Sequence, residues 1–102
     1  MRFMIAGIAI LLASTTAAQT PSQPTPERIA KIMASASGQS PETAYKVNSV
    51  SDEYAILRAL GLRPVSQSLV TQGKPYDVIE AEAADGKKQT LWFDISKFFG
   101  KL

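Results

Sequence analysis

Asp77 and Asp94 are the pair whose types and spacing reach furthest toward chemistry. Both lie in segments that read as neighbouring strands, Tyr76 to Ala83 and Lys88 to Ile95, joined at Asp85-Gly86. With a two-residue loop, Ala84 faces Lys87 and counting back sets Asp77 opposite Asp94. Two carboxyls so placed raise one another's pKa and can divide acid and base roles, as in a small hydrolase or sugar-active enzyme, with Glu80 as a third member. With a three-residue loop Ala84-Asp85-Gly86 and Gly86 left-handed, Ala83 faces Lys87 and the pairing shifts. Ile79, Ala81, Ala83, Leu91, Phe93 and Ile95 then share one face. Val78, Glu80, Glu82, Lys88, Thr90, Trp92 and Asp94 share the other, with Glu82 across from Lys88. Only this register separates apolar from polar groups. The alternative would bury Glu80 and Glu82 unpaired, at a cost of several kcal/mol. The bulged turn is therefore expected and no catalytic residue is assigned. Asp77 stands at the mouth of its strand, either bonding to backbone beside the Gly73-Lys74-Pro75 turn or serving a partner.

Other chemistries close more firmly. The chain has neither His nor Cys, so it carries no nucleophilic triad, no Cys/His pair, no disulfide and no usual zinc or haem ligand set. No lysine lies in an apolar run that would desolvate it for a Ser/Lys dyad. The glycines are too scattered to cradle a phosphate, and Asp85-Gly86-Lys87-Lys88 follows one acid with two cations where a calcium loop alternates acids. No cofactor or metal is expected. What remains is aromatic side chains outside the apolar pattern. Trp92 falls on the polar face, and Tyr45, Tyr54 and Tyr76 carry hydroxyls that must reach water or a partner. Trp92 is either covered by the first helix, whose Ile29, Ile32 and Met33 need a surface, or is an exposed anchor for a partner.

The elements that position these residues follow an export signal. Arg2 supplies a charge, Phe3 to Leu12 is apolar apart from Gly7, and Ala13 to Ala18 is small and uncharged. Thr16 and Ala18 suit cleavage before Gln19, with a cut after Ala17 as the alternative. The apolar run of about 12 residues is short of the roughly 20 that span a bilayer, so an uncleaved membrane-tethered form is the lesser reading. Eleven basic residues, one of them Arg2, face nine acidic ones, and no basic cluster exceeds Lys87-Lys88. That balance leaves no footprint for nucleic acid or an anionic membrane. The expected layout is a signal peptide over 1–18, a Pro-rich leader over 19–25 and a single domain over 26–102.

Within the domain, Thr25 and Pro26 begin a helix over 26–36 with Ile29, Ile32, Met33 and Ala36 on one face, stopping at Gly38. Thr43 to Val50 reads as a strand. Ser51 caps a second helix over 52–60 whose buried stripe is Ile56, Leu57 and Leu60. Gly61 closes it, Leu62 folds back onto Leu57, and Pro64 stops continuation. Strands over 65–71, 76–83 and 88–95 follow.

The stretch from Ser40 to Gly100 resembles a bacterial domain family of unknown function found in exported proteins. The resemblance rests on Ser40-Pro41-Glu42-Thr43-Ala44-Tyr45, Asp52-Glu53-Tyr54-Ala55-Ile56-Leu57, Leu60-Gly61-Leu62, Ser66-Gln67-Ser68-Leu69-Val70, Tyr76-Asp77 and Trp92-Phe93-Asp94-Ile95-Ser96. It implies no activity and no ligand. The run Tyr76 to Asp94, with its Asp85-Gly86 turn and trailing Gly100-Lys101-Leu102, is also similar to the closing hairpin of PepSY-type modules, which are associated with restraining secreted proteases or with sensing.

Together these readings predict an α+β fold: a small, mainly antiparallel sheet of about four strands with one packed helix, plus an N-terminal helix after the signal peptide. The expected protein is a periplasmic or secreted, non-enzymatic module that binds a protein or peptide. Trp92, Tyr76, Asp77 and Ser68 are its candidate contact residues, and the strand 65–71 is an acceptor for an added strand.

Overall fold

Thr25 opens the first helix as expected, its side chain accepting a hydrogen bond from the Arg28 N–H at 3.2 Å ahead of Pro26 at the first helical position. The computed structural model describes residues 24–101, so the expected signal peptide and most of the leader lie outside the described residues. Helix α1 spans Pro26–Ala34 and ends at Ser35. Gly38 lies beyond its cap and serves a different purpose.

The expected strand over 43–50 shrinks to β1, Tyr45–Lys46. Its flanks are claimed by stronger local chemistry. Ser40 and Thr43 bond reciprocally around a 3₁₀ turn, Pro41–Thr43, and Asn48 and Ser49 belong to the next helix start. Helix α2 spans Val50–Ala59 and is capped by Ser49, whose hydroxyl accepts from the Asp52 N–H, two residues before the expected Ser51. The reason is visible in the spacing: Ser49 has an acid three residues on, whereas Ser51 has Tyr54 there. Gly61 (φ +74°) ends the turn after α2 as expected.

Strand β2 runs Leu62–Val70, β3 Tyr76–Ala83 and β4 Lys88–Asp94. The sheet order is β1-β4-β3-β2, with β1 parallel to β4 and the other pairs antiparallel. This is the expected small α+β fold with a four-stranded, mostly antiparallel sheet. Strand β2 begins earlier than expected and contains Pro64. As an edge strand it tolerates proline, and the register slips between Pro64 and Ser66, so Val65 is bulged.

The β3–β4 turn is the three-residue form. Ala83 N–H donates to Lys87 O at 2.8 Å, Gly86 N–H donates to Ala83 O at 2.9 Å, and Gly86 has φ +87°. Glu82 faces Lys88 and Ile79 faces Leu91, as the segregation of apolar groups demands. The core therefore sits on one face of the sheet. Ile79, Ala81, Leu91, Phe93 and Ile95 meet Ile56, Leu57 and Leu62, while Ile29 of α1 joins beside Tyr45 and Val47. Among the described residues no helix is long and apolar enough to cross a membrane.

Candidate functional site

The cross-strand register places the candidate contact residues. Ser68 pairs with Val78 and Val78 with Trp92, forming one row across the sheet. Val70, Tyr76, Asp94 and Lys46 form the next. Both rows lie on the face away from the helices, because α1 packs its apolar side into the opposite core. Trp92 is thus not covered by α1. It is half-buried against Tyr76 in an edge-to-face contact, ring centroids 5.5 Å apart at 79°. Its backbone N–H donates to Gly38 O at 2.6 Å, so the 38–44 turn extends the sheet beside β4.

Asp94 in this face is held in place. Its Oδ1 accepts from the Ser96 hydroxyl at 2.6 Å and the Ser96 N–H at 3.0 Å, and its Oδ2 lies 3.4 Å from Lys74 Nζ. Burial pushes its pKa up, but the Ser96 bonds and the Lys74 cation outweigh that and hold it below the usual carboxylate value. Asp77 is on the other face, opposite Phe93 and Leu69. Ser68, Tyr76 and Trp92 are therefore brought together, and Asp77 is parted from all three. Asp77 and Asp94 occupy opposite faces of the sheet, so they do not form the acid–base pair of the two-residue register.

The edge of β2 is open along its length: Arg63 through Leu69 are exposed. Hydrogen bonds from Ala83 to Lys87, Trp92 to Gly38 and Val47 to Asp94 fix the alternation of the ladder. Odd-numbered residues of β3 and β4 bond each other, so even-numbered residues of β3 bond β2. Ser68 turns its backbone groups inward to Val78, while Gln67 and Leu69 direct theirs outward. Pro64 occupies an outward position, where its missing N–H costs no ladder bond.

The residues that sequence reasoning missed lie beneath the sheet. Asp52 and Glu53 are fully buried on α2, and Asp77 is 8% exposed on β3. Asp52 Oδ2 accepts from the Asn48 N–H at 2.8 Å and from Arg28 Nη1 at 2.6 Å, which ties α1 to α2. Neither Glu53 oxygen nor Asp52 Oδ1 has a partner at full hydrogen-bond geometry. The Asp77 carboxyl is the group that faces Glu53. Burial first, then the Asp77 hydrogen bond, then the charges of Asp77 and Asp52 push the Glu53 carboxyl up to about 9. Glu53 thus holds its proton at neutral pH. The signal was present in the spacing: 52, 53, 56 and 57 form one helical stripe, and its first two members are acids. The expected Leu60 is instead 40% exposed at the C-cap.

A family model for a domain of unknown function, DUF4919, matches residues 2–101. The chain belongs to this family. No curated protein and no solved structure matches it. In this DUF4919 chain the acids divide by surroundings: Asp94 is an anchor for the turn after β4, Asp52 a latch for α1, and Glu53 a sealed proton carrier against Asp77. Among the described residues no group of three or more acids is arranged to hold a metal ion.

The latch gives a direct expectation. Arg28→Met leaves the fully buried Asp52 without its cation and should cost about 3 kcal/mol. The loss should show first as proteolysis within residues 25–37, because α1 detaches before the sheet opens; unchanged protection there would mean that α1 is held by apolar packing alone.

Proposed function

We propose that this DUF4919 chain is an exported, non-enzymatic module that binds an extended segment of another protein in the periplasm or outside the cell. The segment adds as a strand to β2 and sets alternate side chains on the open face beside Ser68, Val70 and Trp92. The observation that carries this reading is the unpaired β2 edge next to a helix-free sheet face bearing the Tyr76–Trp92 pair. Support also comes from how the acids are used. Asp94 is spent on Ser96 and Lys74, and Glu53 is sealed from solvent, so neither is offered to a substrate. The N-terminal charge, apolar run and small residues support export with cleavage before Gln19.

The test is cross-linking in the periplasm, with peptide mapping of the captured partner. The cross-links should fall on Ser66 to Val70, Tyr76 and Trp92. Leu69→Pro removes an outward N–H and should abolish capture, and Trp92→Ala should weaken it about tenfold or more. Capture that survives Leu69→Pro in a folded protein would refute strand addition.

A further inference from the structure

The rest of the surface offers weaker candidates. The apolar recess between Val50 and Phe99 has nothing to say what fills it, and the sealed Glu53 is beyond a ligand's reach. The β2 edge carries an inference further, one that rests on the strand-acceptor reading above and names a partner for the same edge.

Natural sheets protect their edges with charge, proline, bulges or brevity. Here the protection is confined to one end. Pro64 and the bulge at Val65 guard the start of β2, and Arg63 lies just before them. From Pro64 to Gln72 the chain carries no charge. The regular stretch after the bulge, Ser66 to Val70, has no guard. Leu69, at 54% exposure, is the most exposed large apolar side chain among the described residues. It stands on the core side of the sheet, beyond the start of β2 where Leu62 packs against Ile56 and Leu57.

This stretch is centred on Ser68 and suits a copy of itself. An antiparallel pairing about a two-fold axis at Ser68 sets Gln67 against the partner's Leu69, and Ser66 against the partner's Val70. Gln67 and Leu69 are the two residues whose backbone groups the ladder directs outward, so each Gln67–Leu69 meeting exchanges both N–H···O bonds. No like charges meet, and the bulge and Pro64 fall outside the paired stretch. On the core side the exposed Leu69 gains cover from the partner's Gln67. On the open face Ser68 meets Ser68.

We propose that two copies of this chain pair through Ser66 to Val70 into one continuous eight-stranded sheet. The two open faces become one surface. The row Trp92, Val78, Ser68 runs on into its symmetry copy, placing the two Trp92 side chains about 24 Å apart at the usual spacing between strands. A target segment then competes with the second copy for the same edge.

The absence of cysteine makes the test direct. Sedimentation of the exported chain at up to about 0.5 mM should show a reversible species of twice the chain mass. Leu69→Pro and Leu69→Lys should each weaken it at least tenfold; the lysine variant keeps every backbone group, so a folding defect in the proline variant does not blur the outcome. Mild oxidation of Ser68→Cys should give a covalent dimer, whereas Asp85→Cys, at the exposed β3–β4 turn, should not. A monomer throughout this range overturns the pairing. So does a dimer that ignores the Leu69 variants, or one that fails to link through Ser68→Cys. If self-association fails while Leu69→Pro still abolishes target capture, the pairing falls and the strand-acceptor reading stands. If capture is also unaffected, both fall.

Discussion

Glu53→Gln should stabilise the protein above neutral pH and flatten its dependence on pH. The folded chain holds the Glu53 proton up to about pH 9, against an ordinary value of 4.5. Unfolding therefore releases a proton throughout that window, and the unfolded state binds fewer protons than the folded one. Stability is then full below about 4.5 and is lost as pH rises toward 9, by up to about 1.4 kcal/mol per pH unit. Glutamine keeps the shape and the donor toward Asp77 without a charge to release, so the gain over the native chain should reach several kcal/mol near pH 9 and vanish near pH 4. Asp94 acts in the opposite sense. Its lowered pKa contributes stability above 3.8 that is lost only on further acidification, so the two windows do not overlap. The native chain should be most stable near pH 4 to 5, on the acid side of the usual maximum. Urea denaturation of both forms across pH 4 to 9 measures this directly. Parallel curves for the two forms would show that Glu53 is not buried as a neutral acid.

Gly38→Ala should be the most damaging glycine-to-alanine change among the described residues. Gly38 is buried at φ +72°, its N–H donates to Thr43 O at 2.7 Å, and its carbonyl receives the Trp92 N–H. An added Cβ would stand 2.7 Å from Tyr45 Cδ2 and closer still to Cε2. The left-handed backbone costs about 1–2 kcal/mol, and displacing a packed ring adds about 1–3 kcal/mol. Tyr45 has little room to yield, because its ring is buried 5.6 Å from that of Phe93. A loss of about 3 kcal/mol, or a fall in Tm of at least about 10 °C, is expected. Gly61→Ala is the control: its φ of +74° is similar, but nothing lies within 4 Å of the new Cβ, so only the backbone cost of about 1 kcal/mol should appear. Fluorescence of Trp92, the single tryptophan, follows both unfolding reactions and also reports the broken contact with Gly38. Equal losses at the two glycines would mean that the Tyr45 ring is free to move.

The two expectations draw on different parts of the fold. Gly38 extends the sheet beside β4 and packs against the buried Tyr45 ring, and Glu53 and Asp77 lie where α2 meets β3. An acid pair sealed between helix and sheet tolerates one proton but not two charges, so the α2–β3 contact weakens as the solution becomes alkaline. The open face keeps its register through the same change, because its buried acid, Asp94, is held below the usual carboxylate value by Ser96 and Lys74.

Local rules made much of the architecture legible. Thr25-Pro26 marked the start of α1, and Gly61 closed the turn after α2. The segregation of Ile79, Leu91 and Phe93 from Glu82 and Lys88 selected the bulged Asp85-Gly86 turn, since one residue of slippage would have buried carboxylates. These readings succeeded because each depends on neighbours within a turn or across one hairpin. The tertiary structure decided where residues far apart in sequence meet. Arg28 pairs with Asp52 across 24 residues, Gly38 meets Trp92, and Asp77 turns inward to Glu53. Spacing alone placed Asp77 at a strand mouth and Asp52 and Glu53 in a helix's first turn, where acids are ordinary. Only the docking of α2 on the sheet turned that ordinary position into a buried one, and burial is what raises a carboxyl's pKa and makes the pair a site.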